Sequence, residues 1–237
     1  MNPQDIRMVA QASGTVPVIA VDGPSGVGKG TLCRRLAEHL DFHLLDSGSL
    51  YRLTALAALR GGVDLGDAAG LAAIAAVLDA SFAPGADDLV IRLAGTDVTR
   101  ELRAETTGNA ASIVAAVPQV RAALLQRQRD FRRPPGLIAD GRDMGTTVFP
   151  DAPLKIYLVA SPAERARRRH KQLSEKGVGA TLAALEREIA ERDARDAGRT
   201  ASPLRPAGDA IVIDTDALDI EAVFHRVLGL VRERLSV

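Results

Sequence analysis

Five short apolar runs recur along the chain, and each has the length of a β-strand. They are VIAV at 18–21, FHLL at 42–45, GLIA at 136–139, KIYLVA at 155–160 and AIVI at 210–213. Their apolar residues are continuous and do not alternate with polar ones, which is typical of strands covered on both faces. Because helical segments separate the runs, the pattern predicts an α/β fold with a five-stranded parallel sheet and helices on both of its faces.

The predicted helices lie between these strands and after the last one. Pro118 and Pro162 fit the first turn of a helix, where the missing N–H costs nothing. In one charged segment, Leu182, Leu185 and Ile189 are expected to form an apolar stripe with arginines beside it. The segments with helical character are 28–40, 49–60, 118–131, 162–173, 181–196 and 217–235.

Three segments depart from this alternation. Short β-prone runs between PG and AG turns predict a small antiparallel insertion. The segment 172–180 joins two charged helices through two glycines, and we interpret it as a mobile flap. The N-terminal residues lack the layout of a secretory signal, and we interpret them as a flexible tail. The expected organisation is a tail at 1–16, a single domain at 17–237 with its core at 17–70 and 110–237, an insertion near 71–109 and a lid near 164–180.

Composition narrows the class of protein. The chain has 237 residues, of which 46% are hydrophobic, so it can bury a sizeable core. No apolar run approaches the roughly 20 residues that a bilayer span needs, and we expect a cytoplasmic protein without a membrane partner. Thirty basic and thirty acidic side chains cancel, which argues against binding nucleic acid through bulk positive charge. The single cysteine, Cys33, excludes an internal disulfide, and we expect it to be a small buried side chain.

The first strand leads into a glycine-rich turn that carries a lysine and opens a helix. Glycines let backbone N–H groups wrap around an anion, and the start of the helix adds its positive end. Lys29 can then reach the β- and γ-phosphates of a triphosphate such as ATP. The predicted phosphate loop consists of Gly23, Pro24, Ser25, Gly26, Val27, Gly28, Lys29, Gly30 and Thr31.

The position after the lysine differs from the usual loop of this kind. It holds Gly30, where Ser or Thr commonly helps to bind magnesium, and the hydroxyl comes one place later at Thr31. We therefore expect Mg²⁺ to be held mainly by phosphate oxygens and water, with Thr31 acting through water. Asp140, at the end of the GLIA strand, is a candidate to orient one of these waters, although a loop-capping carboxylate is an equal alternative. The four histidines show no metal-ligand spacing.

Longer motifs extend the pattern beyond the loop. They are GPSGVGKGT at 23–31, LLDSGSLYR at 44–52, NAASIVAAVPQVR at 109–121, IADGRDMGT at 138–146 and ERDARD at 191–196 with Arg199. Together these motifs resemble the bacterial cytidylate kinases, a family of nucleoside monophosphate kinases, from about residue 17 to near the C-terminus. The resemblance implies a P-loop kinase, with an insertion that binds the monophosphate and a lid, which transfers the γ-phosphoryl group of ATP to CMP or dCMP with Mg²⁺. It also implies a monomer.

The resemblance further implies a role for each matched side chain. Lys29, Arg142 and Arg192 would neutralise charge during transfer. A lid arginine would close over the triphosphate, and the sequence does not distinguish Arg165, Arg167, Arg168 and Arg169. The implied contacts with the acceptor are Ser47 near the cytosine, Tyr51 beside the nucleotide, Arg52 and Arg142 on the phosphate, Ser112 on the ribose side, Arg121 and Arg199 on the base side, Asp143 on the cytosine edge, and Arg192 and Asp196 near the sugar.

The chemistry of Asp143 and Arg121 fits cytosine. A carboxylate accepts a hydrogen bond from the N4 amino group, and an arginine can donate to N3 and O2. Uracil would set its O4 acceptor against the carboxylate, so this pair should disfavour UMP. A surface salt bridge is the alternative for either residue.

Two rival functions remain open on the sequence. One is another P-loop kinase that acts on a different nucleotide, such as UMP, or on an alcohol, which would need a base near its hydroxyl. The acceptor phosphate of CMP is already anionic and needs no such base, so positioning and charge neutralisation suffice. The other rival is a nucleotide-dependent nucleic-acid-binding protein, but two tyrosines, five phenylalanines and no tryptophan argue against a base-stacking platform.

Overall fold

The computed structural model describes residues 15–84, 89–175, 177 and 179–235. The chain divides into two compact units, one formed by Met1–Asp46 with Gln128–Val237 and the other by Ser47–Arg127. Three predicted segments fall partly outside the described residues: the tail up to residue 14, positions 85–88 of the insertion, and positions 176 and 178 of the flap.

The first unit is built on a five-stranded sheet. Its strand order is β2-β6-β1-β7-β8, and all of its pairings are parallel. Each of the five apolar runs forms one of these strands, which confirms the predicted α/β fold. The strands of the chain are β1 Val18–Asp22, β2 His43–Asp46, β3 Ala80–Pro84, β4 Leu89–Leu93, β5 Thr96–Asp97, β6 Leu137–Gly141, β7 Leu154–Val159 and β8 Ile211–Asp214.

All six predicted helices are present, and Pro118 and Pro162 begin two of them as expected. Within the described residues, the prediction missed three helices and a π-helical turn at Met144–Val148. Among the missed helices, 105–114 contains Gly108 and two threonines, which are poor helix formers, so tertiary packing outweighs propensity there. The α-helices are α1 Lys29–Leu40, α2 Ser47–Arg60, α3 Ala68–Ala76, α4 Thr99–Leu102, α5 Glu105–Val114, α6 Pro118–Arg129, α7 Pro162–Glu175, α8 Leu182–Ala197 and α9 Ile220–Leu235.

The main core of the first unit lies between the sheet, α1 and α9. Alternate side chains of β1, Ile19 and Val21, belong to this core. Helix α1 contributes Leu32, Leu36 and Leu40, which recur every four residues and therefore share one face. Since side chains alternate along a strand, Asp22 at the end of β1 faces the opposite side of the sheet from Val21. Among the described residues, no helix is long and apolar enough to cross a membrane.

A smaller apolar cluster joins α7 and α8. It contains Leu185 and Ile189 of α8, packed with Ala166 and Leu173 of α7. The predicted stripe was wrong at Leu182, whose exposure is 43%. Leu182 is the first residue of α8, and the helix start is directed instead by the preceding Thr181, whose hydroxyl accepts a hydrogen bond from the N–H of Ala184.

The second unit contains an antiparallel sheet of order β3-β4-β5, together with α2 to α5 and most of α6. The antiparallel pairing agrees with the pattern of short β-prone runs. The unit extends on both sides of the predicted insertion, because α2 packs on α5 and on α3 within it.

Candidate active site

The predicted phosphate loop connects β1 to α1. Gly23 has φ +146°, and a Cβ atom there would collide with the carbonyl of Leu158 in β7. Gly28, directly before α1, has φ +95°. Both positions therefore require glycine, one for close backbone approach and one for its dihedral angle. Lys29 is the first residue of α1; it is buried, and its Nζ donates a hydrogen bond to the carbonyl of Pro24 at 2.7 Å.

Burial and several charged side chains shift the pKa of Lys29. Burial and then the charge of Arg142 lower the pKa of Lys29 to about 7, and Asp140 opposes them. Burial raises the pKa of Asp140 to about 6, while Lys29 lowers it and Asp46 raises it. Two cations, Lys29 and Arg142, thus interact at the loop with the carboxylates of Asp140 and Asp22. A bound triphosphate would raise the pKa of Lys29, because a nearby negative charge favours the protonated amine.

The glycine after Lys29 faces Asp140. A Cβ atom at Gly30 would lie 3.7 Å from Oδ2 of Asp140. This carboxylate is therefore next to the position that a serine side chain would occupy. Thr31, the third residue of α1, is exposed. No group of three His, Cys, Asp or Glu side chains in the described part of the chain could hold a metal ion. The oxygen atoms of Asp140 and Thr31 fit a hydrated Mg²⁺ that is held through water and phosphate, because magnesium readily keeps several water ligands.

A buried carboxylate gathers the predicted arginines of the first unit. Asp196 in α8 accepts hydrogen bonds from Nε of Arg142 at 3.2 Å and from Nη2 of Arg199. Burial by itself would raise the pKa of Asp196, but the charges of Arg142, Arg199 and Arg192 outweigh it and lower that pKa below its usual value. Arg142 also donates to the carbonyl of Gly141 at 3.0 Å. The structure therefore brings these four side chains together, with Asp196 at their centre.

Asp22 was not identified from the sequence. Its two carboxylate oxygens accept the N–H groups of Met144 and Gly145, each at 2.8 Å. Burial raises the pKa of Asp22 to about 6, and these two hydrogen bonds oppose that effect. The turn that they hold begins directly after Asp143, which is itself buried. The available signal was an acidic residue at the end of an apolar strand, beside a loop built for anions.

The four arginines considered for the lid have different surroundings. Arg165 is buried, and its guanidinium pairs with both oxygens of Asp193 at 3.0 and 2.5 Å. The same group donates to the carbonyl of Ser25 at 3.2 Å, so it ties the phosphate loop to α8. Arg167 and Arg168 both pair with Glu164 of their own helix. Arg169 donates to Oε1 of Gln172 at 3.3 Å.

The second unit carries the other predicted contacts. Tyr51 and Arg121 come together, since the guanidinium carbon of Arg121 lies 5.4 Å from the centre of the Tyr51 ring. Arg52 donates to the carbonyl of Leu102 at 2.8 Å. A Cβ atom at Gly108 would lie 3.1 Å from the guanidinium nitrogens of Arg52, so the glycine leaves room for this side chain. The remaining two contacts, both buried, are Ser47, the first residue of α2, and Ser112 in α5.

Cys33 lies in the interior of the first unit. It is fully buried in the core and is a free thiol. Burial raises the pKa of this thiol well above its usual value, so the reactive thiolate is disfavoured. The prediction of a small buried side chain is confirmed.

Comparison with known proteins gives a family match over most of the chain. Residues 19–233 match the family model described as cytidylate kinase. A cytidylate kinase of Yersinia enterocolitica is 55% identical over 223 residues, which cover 94% of this chain and 97% of that protein. One of Nitrosococcus oceani is 55% identical over 215 residues, which cover 90% and 95%. The solved structure of a gluconokinase from Sinorhizobium meliloti 1021 is 16% identical and covers 93% of this chain and 94% of its own, with a TM-score of 0.44.

Proposed function

This chain belongs to the cytidylate kinase family, and from that premise we propose that it transfers the γ-phosphoryl group of ATP to CMP or dCMP, giving ADP and CDP or dCDP. The observation that carries the proposal is the phosphate loop itself, in which Gly23 and Gly28 adopt backbone angles that favour glycine and the buried Lys29 begins the helix that follows. Backbone N–H groups and a lysine at the start of a helix form a binding site for phosphate.

The chemistry that these residues support is charge neutralisation and positioning. The phosphate loop binds the triphosphate, and Lys29 donates to its β- and γ-phosphates. Arg142, which donates a hydrogen bond to Asp196, is proposed to neutralise charge that spreads over the transferring oxygens. The attacking oxygen of the acceptor phosphate is anionic near neutral pH, so no side chain has to remove a proton from it.

ATP is the co-substrate, and we propose Mg²⁺ as the cofactor. Asp140 and Thr31 would hold it through water, beside the position of Gly30. When bound, Mg²⁺ supplies positive charge to the phosphate oxygens. What this chain contributes is the orientation of the water ligands and a loop shape that fits the triphosphate.

Recognition of the acceptor base is proposed for Asp143 and Arg121, on the hydrogen-bonding pattern of cytosine. The family resemblance supports the remaining contacts with the acceptor, which we propose for Ser47, Tyr51, Arg52, Ser112, Arg142, Arg192, Asp196 and Arg199. Arg192, like Lys29 and Arg142, is proposed to neutralise charge in the transfer. A cytoplasmic location and a monomeric state stay predictions.

The reaction can be tested with purified protein, ATP and Mg²⁺, by measuring ADP formation with CMP, dCMP, UMP and AMP in turn. We expect CMP and dCMP to stimulate ADP formation strongly, and UMP to do so far less. If CMP produced no stimulation above the background ATPase rate, the proposed function would be wrong. Strong activity with UMP would instead favour the rival nucleotide kinase.

The base-recognition role of Asp143 has a separate test. In Asp143→Asn, one carboxylate oxygen becomes an amide that can donate to O4 of uracil but opposes N4 of cytosine. We expect kcat/KM for CMP to fall about 100-fold and the ratio of UMP to CMP activity to rise, while the KM for ATP stays within about threefold, since a mispaired polar group costs roughly 1–3 kcal/mol. Asp151→Asn, an exposed carboxylate paired with Arg132, is the matched control. An unchanged preference in the Asp143 variant would contradict this role.

A further inference from the structure

Asp22 connects the strand before the phosphate loop with the turn that follows Asp143. It is the last residue of β1, directly before Gly23 of the phosphate loop. Only 5% of its surface is exposed, and each of its oxygens receives one backbone N–H, from Met144 and from Gly145. The residue is covalently part of the strand that enters the ATP loop, yet its side chain binds a different segment of the chain.

That segment carries the proposed acceptor contacts. Arg142 and Asp143 follow the end of β6, and the π-helical turn begins at Met144. The side chain of Arg142 is held by Asp196, and the backbone just beyond Asp143 is held by Asp22. Asp143 thus lies between two anchored points. The carbonyl of Asp143 also accepts the N–H groups of Thr147 and Val148, so its own backbone is held as well.

The chemistry of the anchor favours an ionised carboxylate. A neutral amide in this place would offer one acceptor, whereas two N–H donors need two. Burying the charge costs free energy, and the nearby carboxylate of Asp143 adds to that cost, while Lys29 reduces it. Lys155, which packs beside Gly145, donates instead to Asp209 and to the carbonyl of Pro150. Burial, and then the charge of Asp22, raise the pKa of Tyr157 in β7.

We propose that Asp22 is a positioning residue for acceptor binding: by holding the N–H groups of Met144 and Gly145, it fixes Asp143 and Arg142 in the orientation that binds CMP. This inference rests on the proposed function and extends it. Both side-chain oxygens of Asp22 bind the turn that follows Asp143. A change at Asp22 should therefore affect binding of the acceptor more than binding of ATP.

The test is Asp22→Asn, which keeps the size of the side chain but turns one oxygen into a donor that faces an N–H. We expect the KM for CMP to rise at least about tenfold, the loss associated with a hydrogen bond to a charged group, while the KM for ATP stays within about threefold. Asp151→Asn makes the same chemical change on an exposed residue and should leave both values unchanged. An equal change in both KM values in Asp22→Asn, or no change, would overturn the inference. An inactive wild type would count against the proposed function instead.

A pH series separates orientation by the carboxylate from a general structural effect. Protonation of Asp22 removes one acceptor, and its pKa is about 6. As pH falls from 7.5 to 5.5, the KM of the wild type should therefore approach that of Asp22→Asn, and their ratio should shrink towards one. The titration of CMP itself is common to both proteins and cancels in the ratio. Besides burial, the charge of Asp22 affects the pKa of Lys29 and of Tyr157, so the KM for ATP is measured in parallel to detect an effect that acts through Lys29. A ratio that stays constant would contradict the proposal.

The wild type provides a second measurement if Asp22→Asn does not fold. Amide hydrogen exchange at Met144 and Gly145 can be compared with exchange at Ile138 and Ala139 of β6. We expect the protection of the first two amides to fall relative to the second two as pH drops below about 6, because the protonated carboxyl holds them less well. If the relative protection stayed constant, Asp22 would not be the group that holds the turn.

Discussion

Replacing Asp196 by asparagine removes the charge that binds Arg142 and Arg199 and that interacts with Arg192. The side chain of Asp196 is 1% exposed, and its partners Arg142 and Arg199 are 19% and 4% exposed. Asparagine has nearly the same shape, but one of its two acceptor oxygens becomes an NH₂ group that faces a guanidinium donor. Arg192, whose charge also acts on Asp196, loses a compensating charge as well.

The size of the effect follows from this burial. Breaking a buried ion pair by neutralising one partner costs roughly 3–5 kcal/mol, and a single hydrogen bond to a charged group contributes about 1.5–3 kcal/mol. Since asparagine keeps one acceptor and Arg142 keeps its bond to Gly141, we expect the free energy of unfolding to fall by about 3 kcal/mol. For a chain of this size that corresponds to a Tm about 6–12 °C lower.

The pH dependence gives the sign of the charge effect. The pKa of Asp196 is lowered in the folded state, so its stabilisation is present above the unfolded value, near 3.9, and is lost as pH falls through the folded value. Urea unfolding of the wild type and of Asp196→Asn should therefore differ by a constant amount from pH 8 to about 5. The difference should shrink as pH approaches 3.

The control for this prediction is Asp151→Asn. Asp151 pairs with Arg132 at 2.6 Å but is 61% exposed, so solvent screens the pair and the loss should stay below about 1 kcal/mol. A loss at Asp196 no larger than at Asp151 would refute the reasoning. So would a difference that grows on acidification, since that would require a raised pKa.

Three further predictions concern the phosphate loop and the helix that it opens. Gly23→Ala should lower ATP-dependent activity at least about 100-fold, because the new Cβ would collide with the carbonyl of Leu158 in β7. Gly208→Ala, where no atom lies within 4 Å of the new Cβ, should leave activity unchanged in the same assay, and an active Gly23 variant would refute the argument. Gly30→Ser should keep the KM for ATP within about threefold, as a Cβ atom there lies at normal contact distance, 3.7 Å, from Asp140; a tenfold rise would contradict it. Cys33 should stay unreactive towards a colorimetric thiol reagent until urea unfolds the protein, and rapid labelling of the native chain would show that it is accessible.

The sheet was predictable because its signal is local. Continuous apolar runs of strand length, separated by helical segments, predict a buried parallel sheet wherever they occur. The helix α5 was not predictable in this way, since Gly108 and its threonines weaken the local signal and the helix is held by packing on α2. Leu182 shows the reverse error: its apolar character suggested burial, but it stands at the start of α8, outside the buried stripe.

The candidate site divides along the same line. The phosphate loop was visible in the sequence because its glycines, lysine and following helix are contiguous. The Asp22 contacts were not, because they join residues about 120 positions apart and involve backbone N–H groups that carry no sequence signature. The pairing of Arg165 with Asp193 was hidden for a similar reason, since a charged helix offers many alternative partners.

By itself the sequence determined the α/β fold, the position of the phosphate loop, the buried Cys33 and the family, since each of these rests on a contiguous pattern or on motifs in a set order. Only the tertiary structure decided which charges meet. Asp196 pairs with Arg142 and Arg199, and Asp22 binds the turn after Asp143. Arg165 pairs with Asp193 and donates to the carbonyl of Ser25. The partner of a charged side chain depends on the distance between the charges and on their burial. Both quantities are set by the folded structure and cannot be read from a local sequence pattern.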